Sequence, residues 1–151
     1  MRGEFLVQDF MSAPAASVPP TARLVDVALS MRRSSKRHLL VVDDGRLVGL
    51  ITDRDLQRCA PSRLMPITEE AYNELFERTQ VDRVMVREPR TIARKAPLLE
   101  ALTVMQQAQI GCLPVMDGEQ VVGIITRGDL VEALRRLLAG PAAGNAQQPG
   151  H

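Results

Sequence analysis

Leu47-Val48-Gly49-Leu50-Ile51-Thr52-Asp53-Arg54-Asp55-Leu56 returns 74 residues later as Val121-Val122-Gly123-Ile124-Ile125-Thr126-Arg127-Gly128-Asp129-Leu130. The same offset aligns residues 18–56 with 92–130 without a gap. It sets Leu24 on Leu98, Met31 on Met105, Leu39 on Leu113, Val41 on Val115 and Asp43 on Asp117. Twelve of these aligned pairs are identical, too many for coincidence, so the chain carries a tandem duplication. The period exceeds the ~20–50 residues of solenoid repeats, which makes each copy a small α/β unit in its own right.

Working outward, each motif begins as a strand and ends as a helix. The strands 47–52 and 121–126 follow the turn signals Asp43-Asp44-Gly45 and Asp117-Gly118, so each returns as a hairpin on 38–43 or 112–117. A helix is expected to begin at Asp53 and at Arg127. Upstream, Leu24, Val27, Ala28 and Met31 recur at helical spacing, with Thr21 as the expected cap. In the second copy Pro97 opens the equivalent helix, expected to bury Leu98, Ala101, Leu102 and Met105. With the extended pieces 14–20 and 89–92, each copy reads β-α-β-β-α. Phe5, Leu6, Phe10 and Met11 are spaced as one face of a helical turn, and Val81 and Met85 correspond to Val7 and Met11. Between the copies, 57–65 reads as a helix end and a loop holding Pro61 and Ser62. Thr68-Glu69-Glu70 then opens a helix with Tyr72, Leu75 and Phe76 on one side. The resulting division is a first domain 1–60, a helical linker 61–80, a second domain 81–138 and a disordered tail 139–151.

Composition narrows the class. Hydrophobic residues make up 45% and charged residues 25%, as in an ordinary globular protein, while aromatics are only 3%. A net charge of +1 without a basic block argues against nucleic acid as a partner. Cys59 and Cys112 stand apart from each other and from any His cluster, as reduced thiols of a cytosolic protein do. No signal peptide or run of ~20 apolar residues is present, so a cytoplasmic protein without a membrane partner is expected.

The repeated Gly-x-x-Thr-x-x-Asp supports two compatible readings. In the structural one, Gly49 and Gly123 permit close backbone approach inside a strand. Thr52 with Asp55, and Thr126 with Asp129, then form capping boxes. In the functional one, the helix N-terminus attracts a phosphate and the Asp accepts from a ribose diol.

Leu113-Pro114-Val115-Met116-Asp117, the Gly-Ile-Ile-Thr-x-x-Asp-Leu ending and the helix carrying Met105 together resemble tandem CBS domains, the regulatory modules named after cystathionine β-synthase. The resemblance covers about residues 5–138. The spacer after Leu56 is similar to that of small bacterial CBS proteins of the acetoin-utilisation type. Leu40 and Gly128 depart from the strict repeat, opposite Pro114 and Arg54. The resemblance implies an α/β (α+β) fold of two β-α-β-β-α domains packed with pseudo-twofold symmetry, with clefts for adenosine nucleotides. It implies that Thr52 and Asp55, or Thr126 and Asp129, take the ribose hydroxyls. Ile51, Ile125, Ala16, Val18 and Ile92 would enclose the adenine. Lys36, Arg37, His38 and Arg54 would meet phosphate in the first copy; the second offers Arg127. The Asp55 site is therefore expected to hold the phosphorylated nucleotide, and the Asp129 site to be weaker.

The leading functional reading is a regulatory module, likewise implied by the resemblance. AMP, ADP or ATP would shift its conformation or the packing of a homodimer, signalling to an effector protein. An alternative is a ligand-free structural adaptor dimer, using the stripe Leu130, Leu134, Leu137 and Leu138. S-adenosylmethionine and NAD are further ligands to test; Lys36 and Arg37 have the wrong sign for a sulfonium. Catalytic residues, a resident cofactor and a metal site are not expected. Two His and no nucleophile or phosphate-loop motif leave nothing to pair a nucleophile with a base.

Overall fold

The hairpin of the first copy, β2 (His38–Asp43) and β3 (Arg46–Thr52), turns through Asp44 (φ 52°) and Gly45 (φ 80°). Two successive positive φ values are what a two-residue hairpin turn demands. The computed structural model describes residues 5–59 and 68–144. These fall into two compact units, one around each copy: residues 15–59 and 68–90 with 119–121, and residues 5–14, 91–118 and 122–144.

In the first-copy unit, β1 (Ser17–Val18) adds parallel to β2, and β4 (Val86–Arg87) adds antiparallel to β3, giving the order β1-β2-β3-β4. Leu39, Leu40 and Val41 are all buried, so β2 is covered on both faces. Helix α1 (Leu24–Ser34) turns Leu24, Val27 and Met31 onto the sheet, where they join Leu39, Val41, Ile51, Val81 and Met85. Helix α2 (Asp53–Cys59) continues directly from β3. Helix α3 (Glu69–Arg78) opens at Thr68, whose hydroxyl accepts from the Ala71 N–H at 3.1 Å.

The second-copy unit repeats this plan with β5 (Ile92–Ala93), α4 (Leu98–Ala108), β6 (Cys112–Asp117), β7 (Gln120–Thr126) and α5 (Arg127–Gly144). Its core joins Ile92, Leu98, Ala101, Met105, Leu113, Val115, Ile125 and Ala133 to Val7. Val7 is fully buried, worth about 1.5–3 kcal/mol for such a side chain.

Val7 precedes the first copy yet completes the core of the second, and Val81 does the reverse. The backbone contacts repeat at the 74-residue offset. The Val7 N–H donates to the Ala96 carbonyl (2.9 Å) and the Val81 N–H to Ala22 (2.7 Å). The Leu98 N–H donates to Phe5 (2.7 Å) and the Leu24 N–H to Thr79 (2.9 Å). Ser12 bridges Ile124 as Val86 pairs with Leu50. Arg136 also lies over the Phe10 ring, 5.3 Å from its centroid.

Several local expectations are corrected. The N-cap of α1 is Arg23 and not Thr21, because the Asp26 carboxylate accepts the Arg23 N–H at 3.3 Å. Leu102 is 44% exposed, since the core side of α4 is already filled by Leu98, Ala101 and Met105. Phe5 is exposed, and Val7 is the buried anchor of its segment. The second-copy ladder also starts one residue later. Leu40 donates its N–H to the Ala16 carbonyl at 3.0 Å, but Pro114 has no N–H to give. Pairing there begins at Ile92 with Val115. Helix α5 continues past Leu138 to Gly144, broken at Gly140 (φ 76°), where disorder was expected from residue 139. The loop with Pro61 and Ser62, and the remainder of the tail, lie outside the described residues.

Candidate functional site

Both motifs close as capping boxes of nearly identical geometry. In the first, the Asp55 Oδ2 accepts from the Thr52 N–H (2.9 Å) and from the Thr52 hydroxyl (3.0 Å). The Asp55 N–H returns to Thr52 Oγ1 at 3.2 Å. In the second, Asp129 Oδ2 accepts from the Thr126 N–H (2.8 Å) and hydroxyl (3.1 Å), and the Asp129 N–H returns at 3.3 Å. The box engages Oδ2 of each carboxylate and leaves Oδ1 outside it.

At Oδ1 the copies part. Asp129 Oδ1 accepts a hydrogen bond from the Ser12 hydroxyl at 3.2 Å. Ser12 is itself held by two backbone bonds to Ile124, of 2.8 and 3.0 Å. The 74-residue counterpart of Ser12 is Val86, which has no hydroxyl. Among the described residues, Asp55 Oδ1 meets only the Arg58 guanidinium, at 4.0 Å, and that Arg is 73% exposed. Asp55 thus presents an acceptor that Asp129 has already spent. Ser12 was not among the expected site residues; its signal is the Ser–Val difference at aligned positions.

Register gathers the remaining first-copy residues. His38 pairs with Thr52 across the hairpin, and the Arg37 carbonyl accepts the Asp53 N–H at 2.9 Å. Residues 36–38 are thereby tied to the start of α2. The Ala16 carbonyl takes the Leu40 N–H, and Val18 pairs with Val41 in β1. Lys36, Arg37 and Arg54 are exposed, while His38, Ala16 and Val18 are half-buried. In the second copy Arg127 is exposed and its N–H donates to the Gly111 carbonyl at 3.1 Å.

Two details depart from the expected site. The side chains of Ile51 and Ile125 are wholly buried and that of Ile92 is 5% exposed, because all three point into the cores. They support the motif from behind and do not line it. The backbone N–H groups of Thr52, Asp53 and Asp55 are also all engaged, so a phosphate at this helix start has to rely mainly on side-chain cations.

Burial raises the Cys59 thiol above its ordinary value, with the Asp55 charge adding to the effect. Its Sγ donates to the Asp55 carbonyl at 3.3 Å. A separate open groove of about 380 Å³ runs along α1 beside Asp26, Leu29, Ser30, Arg33 and Ser34, and contains none of the expected site residues. Among the described residues no cluster of His, Cys, Asp or Glu is arranged to hold a metal, and no helix is long and apolar enough to cross a membrane.

Known proteins share the sequence pattern and the fold. The family model of the CBS domain matches residues 7–61 and 81–136. A CBS domain-containing protein of Dictyostelium discoideum is 37% identical over 136 residues, 88% of this chain and 93% of that protein. The crystal structure of the Vibrio cholerae protein assigned to acetoin utilization, AcuB, is 30% identical with a TM-score of 0.76. The match covers 97% of this chain and 100% of that one. CBSX2, crystallised in complex with AMP, is 25% identical with a TM-score of 0.73, over 89% of this chain and 98% of that one.

Proposed function

This chain belongs to the CBS domain family, and from that premise we propose that it is a regulatory, non-catalytic module that binds an adenine nucleotide at the Asp55 motif. The observation that carries the reading is the Oδ1 of Asp55, left outside its capping box on a side chain 12% exposed, with Lys36, Arg37, His38 and Arg54 tied into the same hairpin and helix start. A carboxylate oxygen with no hydrogen bond among the described residues suits the paired hydroxyls of a ribose, and cations on the same hairpin and helix start suit phosphate. The AMP complex of CBSX2 supports the ligand class. AMP, ADP and ATP are the leading ligands, with S-adenosylmethionine and NAD as comparators. Thr126, Asp129 and Arg127 form the weaker second site.

Signalling in this reading is a shift between two states of a cytoplasmic homodimer, read by a separate effector protein. The ligand moves that equilibrium only by its difference in affinity for the two states. One observation favours the adaptor role as an addition: Val131, Leu134 and Leu138 on α5 are 66%, 55% and 78% exposed, an apolar stripe suited to self-association. Calorimetric titration with AMP, ADP and ATP tests the reading. Saturable binding lost in Asp55→Ala but kept in Asp129→Ala supports it; the reverse pattern sinks it.

A further inference from the structure

We propose that Ser12 determines which of the two repeats accepts a nucleotide, by occupying the Asp129 oxygen that a ribose would need. The proposal rests on the reading of the Asp55 motif as the nucleotide site, and adds the residue that makes the repeats unequal.

The two capping boxes agree within a few tenths of an ångström, so the carboxylates are presented alike. The difference lies in the strand beside each motif. On β7 that neighbour is Ser12, fixed by its two backbone bonds to Ile124 and seated against Gly123. A Cβ on Gly123 would come within 2.6 Å of the Ser12 carbonyl oxygen, so the glycine allows the segment to lie this close. The hydroxyl then reaches Asp129 Oδ1 at 3.2 Å. On β3 the neighbour is Val86, paired with Leu50 and 49% exposed. It offers Asp55 no donor.

A ligand hydroxyl arriving at Asp129 must displace the Ser12 hydroxyl, exchanging one bond to a charged acceptor for another. At Asp55 the same hydroxyl makes a new bond. A hydrogen bond to a charged group corresponds to a factor of about ten or more in affinity. Ser12 is therefore a specificity-determining residue that keeps the second repeat closed, held there by its own backbone ladder.

The test is calorimetric titration of the full chain with AMP, for the wild type and for Ser12→Val, Ser12→Ala and Val86→Ser. Thermal unfolding confirms that each variant is folded, and the exposed position of Val86 makes the third the safest. The wild type is expected to bind one AMP tightly. Both Ser12 variants are expected to gain a second event, tightened about tenfold or more, which Asp129→Ala in the same background removes. Val86→Ser is expected to weaken the first event by a similar factor. If the wild type binds through Asp55 but the Ser12 and Val86 variants reproduce its isotherm, Ser12 has no such role and the proposal is overturned. If no variant gives heat with AMP, the nucleotide reading falls and takes this proposal with it.

Discussion

Replacing Gly123 by Ala should destabilise the protein, whereas replacing its repeat partner Gly49 should cost much less. Neither glycine has a positive φ, so alanine is conformationally acceptable at both, and space decides. At Gly123 the new methyl would lie 2.6 Å from the Ser12 carbonyl oxygen and 3.0 Å from Met11 Sδ. The carbonyl accepts the Ile124 N–H at 3.0 Å and cannot retreat without breaking that bridge. At Gly49 the approach is closer still, but the three nearest atoms all belong to the buried Met85 side chain, an unbranched thioether that can re-aim where a bridged carbonyl cannot. Overpacking typically costs about 1–3 kcal/mol. Restricting the unfolded chain returns about 0.4–1 kcal/mol. Gly123→Ala should therefore lose about 1–2 kcal/mol, and Gly49→Ala should stay within about 1 kcal/mol of wild type. For a chain of this size the first loss lowers Tm by roughly 2–8 °C, which differential scanning calorimetry resolves. Equal shifts in the two variants, or a stabilised Gly123→Ala, would refute the argument that a rigid carbonyl and a pliable side chain distinguish the repeats.

Other expectations follow from the same contacts. Val7→Ala should lose about 1–3 kcal/mol in chemical denaturation despite lying in a short terminal segment, since Val7 is fully buried in the second-copy core; an unchanged midpoint would contradict that placement. Glu132 is held at about 2, below its ordinary 4.5, first by its hydrogen bonds to Arg135 and then by Arg136. Because its folded value is depressed, any stability it lends is present above about 4.5 and is lost as pH falls toward about 2. Carboxyl NMR titration should find that low midpoint, and Arg135→Ala should raise it; a midpoint near 4.5 in the wild type would remove the ion pair. Cys59 should alkylate more slowly than a small thiol at pH 8, and Asp55→Asn should speed it by removing a charge that raises its pKa. An unaltered rate in that variant would mean that the carboxylate does not act on the thiol.

Local patterns were the legible part of this fold. The hairpin turns, the helix starts at Asp53 and Arg127, the capping boxes and the close approach at Gly49 and Gly123 all depend on neighbours in sequence or on strand spacing. Pairing between distant segments was not legible in the same way. Val7 carries the same apolar signal whichever copy it completes, and only the folded backbone assigns it to the second. The Arg23 cap was missed because the acceptor is the Asp26 carboxylate three residues on, while the cap residue itself has none of the usual capping side chains. Leu102 fits the helical period, yet Leu98, Ala101 and Met105 already fill the core-facing side of α4. At the site, the Thr–Asp pairs were plain, but the isoleucines beside them alternate inward, so their proximity in sequence overstated their access. Ser12 lay outside the stretch where the two copies align most clearly, and its contact with Asp129 spans 117 residues.

The most direct test of the central claim compares ligand-induced stabilisation in Asp55→Ala and Asp129→Ala. Each substitution deletes the acidic member of one capping box, a loss of about 0.5–2 kcal/mol. Their shared structural cost makes the ligand response the discriminating quantity. At a hundred times its dissociation constant, a nucleotide should stabilise the wild type by about 2.7 kcal/mol, a rise in Tm of roughly 5–10 °C. The account predicts that AMP, ADP or ATP raises Tm in the wild type and in Asp129→Ala, and that Asp55→Ala shows no rise. A rise that survives Asp55→Ala and disappears in Asp129→Ala would contradict it.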